Sequence, residues 1–177
     1  MSDKYSLCES RAYFGCLDGR LRSPLFGREI EFLVKGNDEI YARRCAEYFE
    51  KITAENLAEY PVLNALFGAL GEYVVDLLDE RGDELELGDF TYDEGSSVAD
   101  LLKALTPAAL TFERSPYHSE EECPIAFGVK LGFDPIADEY MEIVMRGVTA
   151  VYAGEYRGVS PWNDKILKKK WNYARGI

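Results

Sequence analysis

His118 is the sole histidine of this 177-residue chain, so any Ser-His-Asp or Cys-His pair must be built on it. Its surroundings, Ser115-Pro116-Tyr117-His118-Ser119-Glu120-Glu121-Glu122-Cys123, place a thiol and several carboxylates nearby. A catalytic base needs a rigid, partly buried site, and the polar run reads instead as a loop with an exposed histidine. Paired carboxylates are the second candidate. Asp134, Asp138, Glu139 and Glu142 come closest to a local cluster, the kind a hydrolytic or metal-dependent enzyme would use. Asp134-Pro135-Ile136-Ala137-Asp138 lacks the alternating oxygen ligands and central glycine of an EF-hand loop, so these acids read as a solvated connection between strands. Cys8, Cys16, Cys45 and Cys123 contain no C-x-x-C pair, and scattered thiols with one histidine carry no zinc spacing. Neither G-x-x-x-x-G-K-[ST] nor G-x-G-x-x-G occurs, nor H-E-x-x-H or G-x-S-x-G. The expectation is a chain with no catalytic set, no metal and no cofactor.

Charge is the feature left to carry function. The net charge is −12, but the five cations and one anion from Asp164 to Ile177 leave −16 on the first 163 residues. Between Asp76 and Glu94 nine carboxylates meet a single cation. Asp83, Glu84, Glu86 and Asp89, set around Leu85 and Leu87, are the candidate binding residues of that stretch. An acidic body repels phosphate backbones and anionic bilayers, so neither nucleic acid nor membrane is expected as a partner. A basic protein is. The run Lys168-Lys169-Lys170 reads as a solvated segment, or one folded against the acidic surface. No hydrophobic stretch approaches the roughly 18 residues of a membrane span, and Met-Ser-Asp-Lys-Tyr-Ser lacks the apolar core of a signal peptide. This points to the cytoplasm, with four reduced thiols. Nothing in the sequence specifies an oligomeric state.

The elements follow from periodicity. A chain of this length can bury roughly 70% of its unfolded surface, it is 47% hydrophobic and 13% aromatic, and no linker divides it, so one domain is expected. Strand material begins at Tyr13–Leu17 with a turn at Asp18-Gly19, and Ile30, Phe32 and Val34 alternate with Glu29 and Glu31 on a second strand. Asn37 is placed to cap a helix carrying Ile40, Tyr41, Cys45, Tyr48, Phe49 and Ile52 on one face, and Thr53 to cap a short one. From Val62 to Leu78 the i, i+3, i+4 repeat runs nearly five turns. Gly68 and Gly71 inside it signal close packing, and Gly82 is placed as a left-handed stop. Ser96 or Ser97 opens a further helix closed by Thr106-Pro107. Ala109–Arg114 and Ile125–Phe133 are strands, and a hairpin turns at Arg146-Gly147. Helices in the middle and strands at both ends define an α+β class: an antiparallel β-sheet packed against a central group of helices. The domain spans 1–163, followed by a basic C-terminal segment, 164–177.

Val151-Tyr152-Ala153-Gly154-Glu155-Tyr156-Arg157-Gly158-Val159-Ser160-Pro161-Trp162, preceded by Asp138-Glu139-Tyr140-Met141-Glu142, resembles a family of small acidic bacterial domains of unknown function. A weaker agreement lies at Phe26-Gly27-Arg28-Glu29-Ile30-Glu31. The resemblance implies a helical middle, a closing sheet and no established activity. Where such relatives carry a His-Gly pair after the acidic residue, this chain has Tyr140-Met141. Small acidic proteins of this type are associated with toxins in bacterial competition loci. Tyr156 and Trp162 read either as aromatic plugs of the core or as an exposed contact patch, and they complete the candidate binding set. The function expected is non-catalytic binding of a basic protein, of an immunity or regulatory kind, with a carboxylate-dependent hydrolase or metal-binding enzyme as the alternative.

Overall fold

The computed structural model describes residues 4–82, 87–115, 117–119 and 122–177. Seven strands form one sheet in sequence order: β1 (Cys8–Glu9), β2 (Cys16–Ser23), β3 (Arg28–Lys35), β4 (Leu105–Glu113), β5 (Ala126–Phe133), β6 (Tyr140–Arg146) and β7 (Thr149–Glu155). Helices α1 (Glu39–Glu50), α2 (Pro61–Arg81) and α3 (Val98–Lys103) fall between β3 and β4. The class is α+β. Every neighbouring pair is antiparallel except β3 and β4, which run parallel. A parallel pair needs a long crossover, and the helical insertion is that crossover.

One face of the sheet is the core. Leu17, Leu21, Ile30, Phe32, Val34, Leu110, Phe112, Phe127, Val129, Ile143 and Met145 are buried on it. Edge-to-face aromatic contacts link Phe32 to Phe112 at 5.4 Å and Phe49 of α1 to Phe127 at 5.4 Å, a geometry aromatic quadrupoles favour. Helix α1 lies over β2, and α2 over β6 and β7. Pro61 begins α2, where its missing N–H costs nothing. Over 21 residues α2 has the length and apolar content of a membrane span, with a mean hydropathy of 1.3 in its richest window. This departs from the expectation that no stretch approaches one. Its Leu63, Leu66, Phe67, Leu70 and Val74 are buried in the core.

Several local readings change. Asp18-Gly19 is no turn; β2 runs through it, because the Phe32 ring lies across Gly19, where a Cβ would come within 2.3 Å of Phe32 Cζ. The chain reverses at 24–27 instead, with Gly27 at φ +66°. Asp38, not Asn37, caps α1, its carboxylate accepting from Tyr41 N at 2.9 Å, and Ile40 points to solvent. Thr53 and Asn56 bond each other reciprocally ahead of a single 3₁₀ turn at Leu57–Glu59. Gly82 has φ −55°, a right-handed value. Ser97 caps α3 in a reciprocal box with Asp100. Thr106-Pro107 does not close that helix but lies within β4, where a register shift between Pro107 and Ala109 accommodates the imino nitrogen.

The largest departure concerns β6 and β7, which are buried on both faces. Past β7 the chain crosses the outer face, packing Val159, Ile166 and Leu167 on Val144, Val151 and Tyr152. It then folds against the β7 edge. Asn172, only 2% exposed, donates to the carbonyls of Val151 (2.8 Å) and Ile166 (3.2 Å) and accepts from the N–H groups of Ala153 (3.3 Å) and Ala174 (3.0 Å). The basic segment is therefore solvated at its lysines, none of which forms an ion pair among the described residues, while its Tyr173 hydroxyl donates to Asp76 at 2.6 Å.

Candidate functional site

The acidic surface is built on α2. Glu72, Asp76 and Asp79 recur at i, i+4 and i+7, which places them on one helical stripe, and all three are exposed. Facing them, the segment that leads into α3 brings Asp93 and Glu94. A cleft of ≈ 530 Å³ opens between the two. Its floor has no side chains at Gly68 and Gly71, and the Tyr92 hydroxyl sits where a Gly71 Cβ would fall, 2.6 Å away. Asp93 is fixed locally by bonds from Gly95 N and Ser96 Oγ. The side chains of Glu72, Asp79 and Glu94 form no hydrogen bond or ion pair among the described residues. Arg81, the one cation of the 76–94 stretch, reaches out of it to Glu139 at 3.5 Å. Beside Asp76, burial is the largest influence holding the Tyr173 phenol above its ordinary value, and the hydrogen bond to that carboxylate adds to it.

Of the residues expected to bind, the three that are described, Asp89, Tyr156 and Trp162, do not share one site. Asp83, Glu84 and Glu86 lie outside the described residues. Asp89 is exposed at a shallow depression shared with Phe90, Asp100, Lys103 and Asp134, on the helical side, since Phe90 packs on core Phe133 at 5.3 Å. Tyr156 is exposed on the other face of the sheet, its ring 4.5 Å from Lys130 Nζ. Trp162 is half-buried rather than presented. Its indole N–H donates to Glu113 O at 2.9 Å, with Arg146 over the ring at 5.3 Å.

The alternative chemistries disperse. Asp134 accepts from Thr106 Oγ1 at 3.0 Å; Glu139 takes the Tyr73 hydroxyl at 3.2 Å. Glu142 lies on the opposite, outer face. Among the described residues no group of three His, Cys, Asp or Glu side chains is arranged to hold a metal. His118 is exposed, as its loop suggested, with Nδ1 2.7 Å from Ser115 Oγ and its ring 5.7 Å from Trp162. Ser115 is 1% exposed, so its hydroxyl is shielded from any substrate.

A second concavity, missed by sequence reasoning, opens on the outer face. The segment after β7 packs on β6 and β7 there and reaches β4 at its end, Glu113, leaving small side chains on β4 and β5, Ala109, Thr111 and Gly128, as the floor of a ≈ 510 Å³ cleft. Tyr13 and Phe14 from the loop before β2 form one wall and Tyr156, Gly158 and Pro161 the other. Glu142, 3% exposed, lines it and accepts at Oε1 from the N–H groups of Arg157 (3.0 Å) and Val159 (3.1 Å). Burial raises its carboxyl above the ordinary value, and those N–H donors oppose the shift. The signal was present in Ile125–Phe133, whose outer positions after Ala126 are Gly128, Lys130 and Gly132, too small or too polar for a covered face.

No protein-family model, curated protein or solved structure matches the chain.

Proposed function

We propose that this chain is a non-catalytic protein-binding domain that recruits a basic partner into the acidic cleft along α2. The observation that carries the reading is the alignment of four carboxylates, Glu72, Asp76, Asp93 and Glu94, on the two walls of one cleft, with Asp79 in the adjoining depression and no cation lining either among the described residues. A concave, single-signed surface focuses potential and captures oppositely charged partners at raised rates. The tyrosines at the cleft supply apolar area with a polar tip, the kind of residue that anchors interfaces. The likeness to small acidic bacterial domains makes a toxin or nuclease that this chain neutralises the more specific form of the proposal, in a reducing cytoplasm that keeps its four thiols free.

The test is affinity capture from the source cell, followed by purification of the captured protein and measurement of its association rate at stepped ionic strength. The comparison is with a Glu72→Gln, Asp79→Asn, Asp89→Asn, Glu94→Gln variant, all four positions being exposed. The expected partner is basic, and its association rate falls steeply as the Debye length shrinks from about 30 Å at 0.01 M salt to about 10 Å at 0.1 M. The variant associates at least roughly tenfold more slowly at low salt, while dissociation changes less. A folded variant that keeps its partner with unchanged salt dependence would refute the reading, leaving the acidic face as a solubility device.

A further inference from the structure

Two lysine–glutamate pairs stand on the outer face, and they behave differently. Lys35 and Glu113, register partners on β3 and β4, close an ion pair at 2.7 Å. Lys130 and Glu142, register partners on β5 and β6, do not pair within 4.0 Å, although directly opposed unlike charges in an antiparallel sheet ordinarily attract. The Lys130 ammonium rests instead on the π faces of Tyr140 (3.8 Å) and Tyr156 (4.5 Å) and reaches no oxygen acceptor among the described residues. Glu142 is compensated by backbone N–H groups and, at longer range, by the Arg157 guanidinium, which is itself paired with Glu155; among the described residues no cation lies within ion-pair distance of it. Both residues line the outer-face cleft. The Glu142 carboxylate, held by backbone N–H groups, and the Lys130 ammonium, held by two tyrosine rings, each keep charge-assisted bonding capacity toward the cleft.

The geometry points to a zwitterion-binding site, in which the cleft takes a free α-amino acid with an apolar or aromatic side chain. The ligand carboxylate answers Lys130 and its ammonium answers Glu142, each forming a charge-assisted bond that the cleft alone leaves unmade. The ligand side chain lies over Ala109, Thr111 and Gly128 against Tyr13 and Phe14, a small-residue floor with an aromatic wall. Binding is reversible and involves no covalent step. This site is separate from the acidic cleft on the helical side and does not depend on it.

The experiment titrates the full chain at pH 7.5 with L-phenylalanine, N-acetyl-L-phenylalanine and L-phenylalaninamide, following the amide resonances of Gly128, Lys130 and Gly158. Each derivative deletes one ligand charge. Phenylalanine is expected to shift these three resonances and to bind roughly tenfold or more tightly than either derivative. Glu142→Gln, which keeps an oxygen for the Arg157 and Val159 N–H groups, abolishes the discrimination against the N-acetyl compound and retains that against the amide. Lys130→Met does the reverse. No shift with up to 10 mM phenylalanine, on the order of the weakest affinity such a site would have, overturns the proposal. So do equal affinities for the three compounds, or two variants that alter discrimination identically.

Discussion

Gly68 and Gly71 lie one turn apart in α2, and substituting each by alanine has opposite consequences. Alanine at either position removes the conformational cost of an interior helical glycine, roughly 0.5–1 kcal/mol. At position 68 a Cβ meets nothing within 4 Å, so the whole gain is realised. Gly68→Ala is expected to raise the unfolding midpoint by about 1–4 °C, at the 2–4 °C per kcal/mol typical of this chain length. At position 71 the Cβ falls 2.6 Å from the Tyr92 hydroxyl, closer than real Cβ contacts come. The Tyr92 hydroxyl must then shift, carrying with it a ring that stacks on Phe90 at 6.5 Å. Overpacking of this kind costs about 1–3 kcal/mol, which outweighs the helical gain, so Gly71→Ala lowers the midpoint. The clash rests on one oxygen: the next nearest atom, Tyr92 Cζ, is 3.5 Å from the Cβ, an ordinary contact. In a Tyr92→Phe background Gly71→Ala therefore becomes stabilising. Urea unfolding of the four chains of that double-mutant cycle, together with Gly68→Ala, measures every quantity. Equal effects of the two alanines, or no rescue by Tyr92→Phe, would refute the argument and with it the account of how the acidic cleft is shaped.

Asn172→Ala is expected to destabilise the fold by about 2–4 kcal/mol, because it strands the Val151 carbonyl and the Ala153 N–H at a buried edge; denaturant unfolding measures it, and a change below roughly 0.5 kcal/mol would contradict it. Because burial raises the folded carboxyl of Glu142 above its ordinary 4.5, the folded state binds its proton more tightly than the unfolded chain, and stability falls as pH rises from 4.5 through that raised value. Glu142→Gln removes this component, which unfolding midpoints measured across that window in both chains will show. Thiol titration of the native protein with a disulfide reagent should find exposed Cys8 and half-exposed Cys16 reacting quickly. Buried Cys123 and Cys45, whose thiol burial pushes up to about 12, react only on unfolding.

The fold was legible wherever one face of an element is wet. Ile30, Phe32 and Val34 alternate with Glu29 and Glu31 because β3 meets helices on one side and solvent on the other, and the Ser97–Asp100 box announces α3 through its own local hydrogen bonds. Legibility failed where packing overrides local preference. Asp18-Gly19 has turn composition, yet Gly19 is chosen for the Phe32 ring that crosses it. The double burial of β6 and β7 depends on Val159, Ile166 and Leu167, which arrive from a segment whose lysines advertise solvent. The acidic wall was half legible: the charge run was plain, but its alignment into a cleft needs α2 and the residues near Tyr92 to face each other. The outer-face cleft was legible only in the small or polar outer positions of β5; its assembly from residues 13, 130, 142 and 156 was not, since the folded sheet is what brings them together.

The single parallel seam also sets an order of events during synthesis. Strands β1 to β3 leave the ribosome with Ile30, Phe32 and Val34 uncovered, and β4 follows only after residues 36–104 have been made. At about 5–20 residues per second that interval lasts on the order of 3–14 s. The strands from β4 to β7 then close as successive short-range pairs, which are fast to form. Closing the seam is a long-range event, so it is the step at which an incomplete chain presents a half-built sheet edge to its neighbours. Helix α1 emerges directly behind β3, and its apolar face of Tyr41, Cys45 and Phe49 is the first cover available to the face of those strands, while the β3 edge waits for β4.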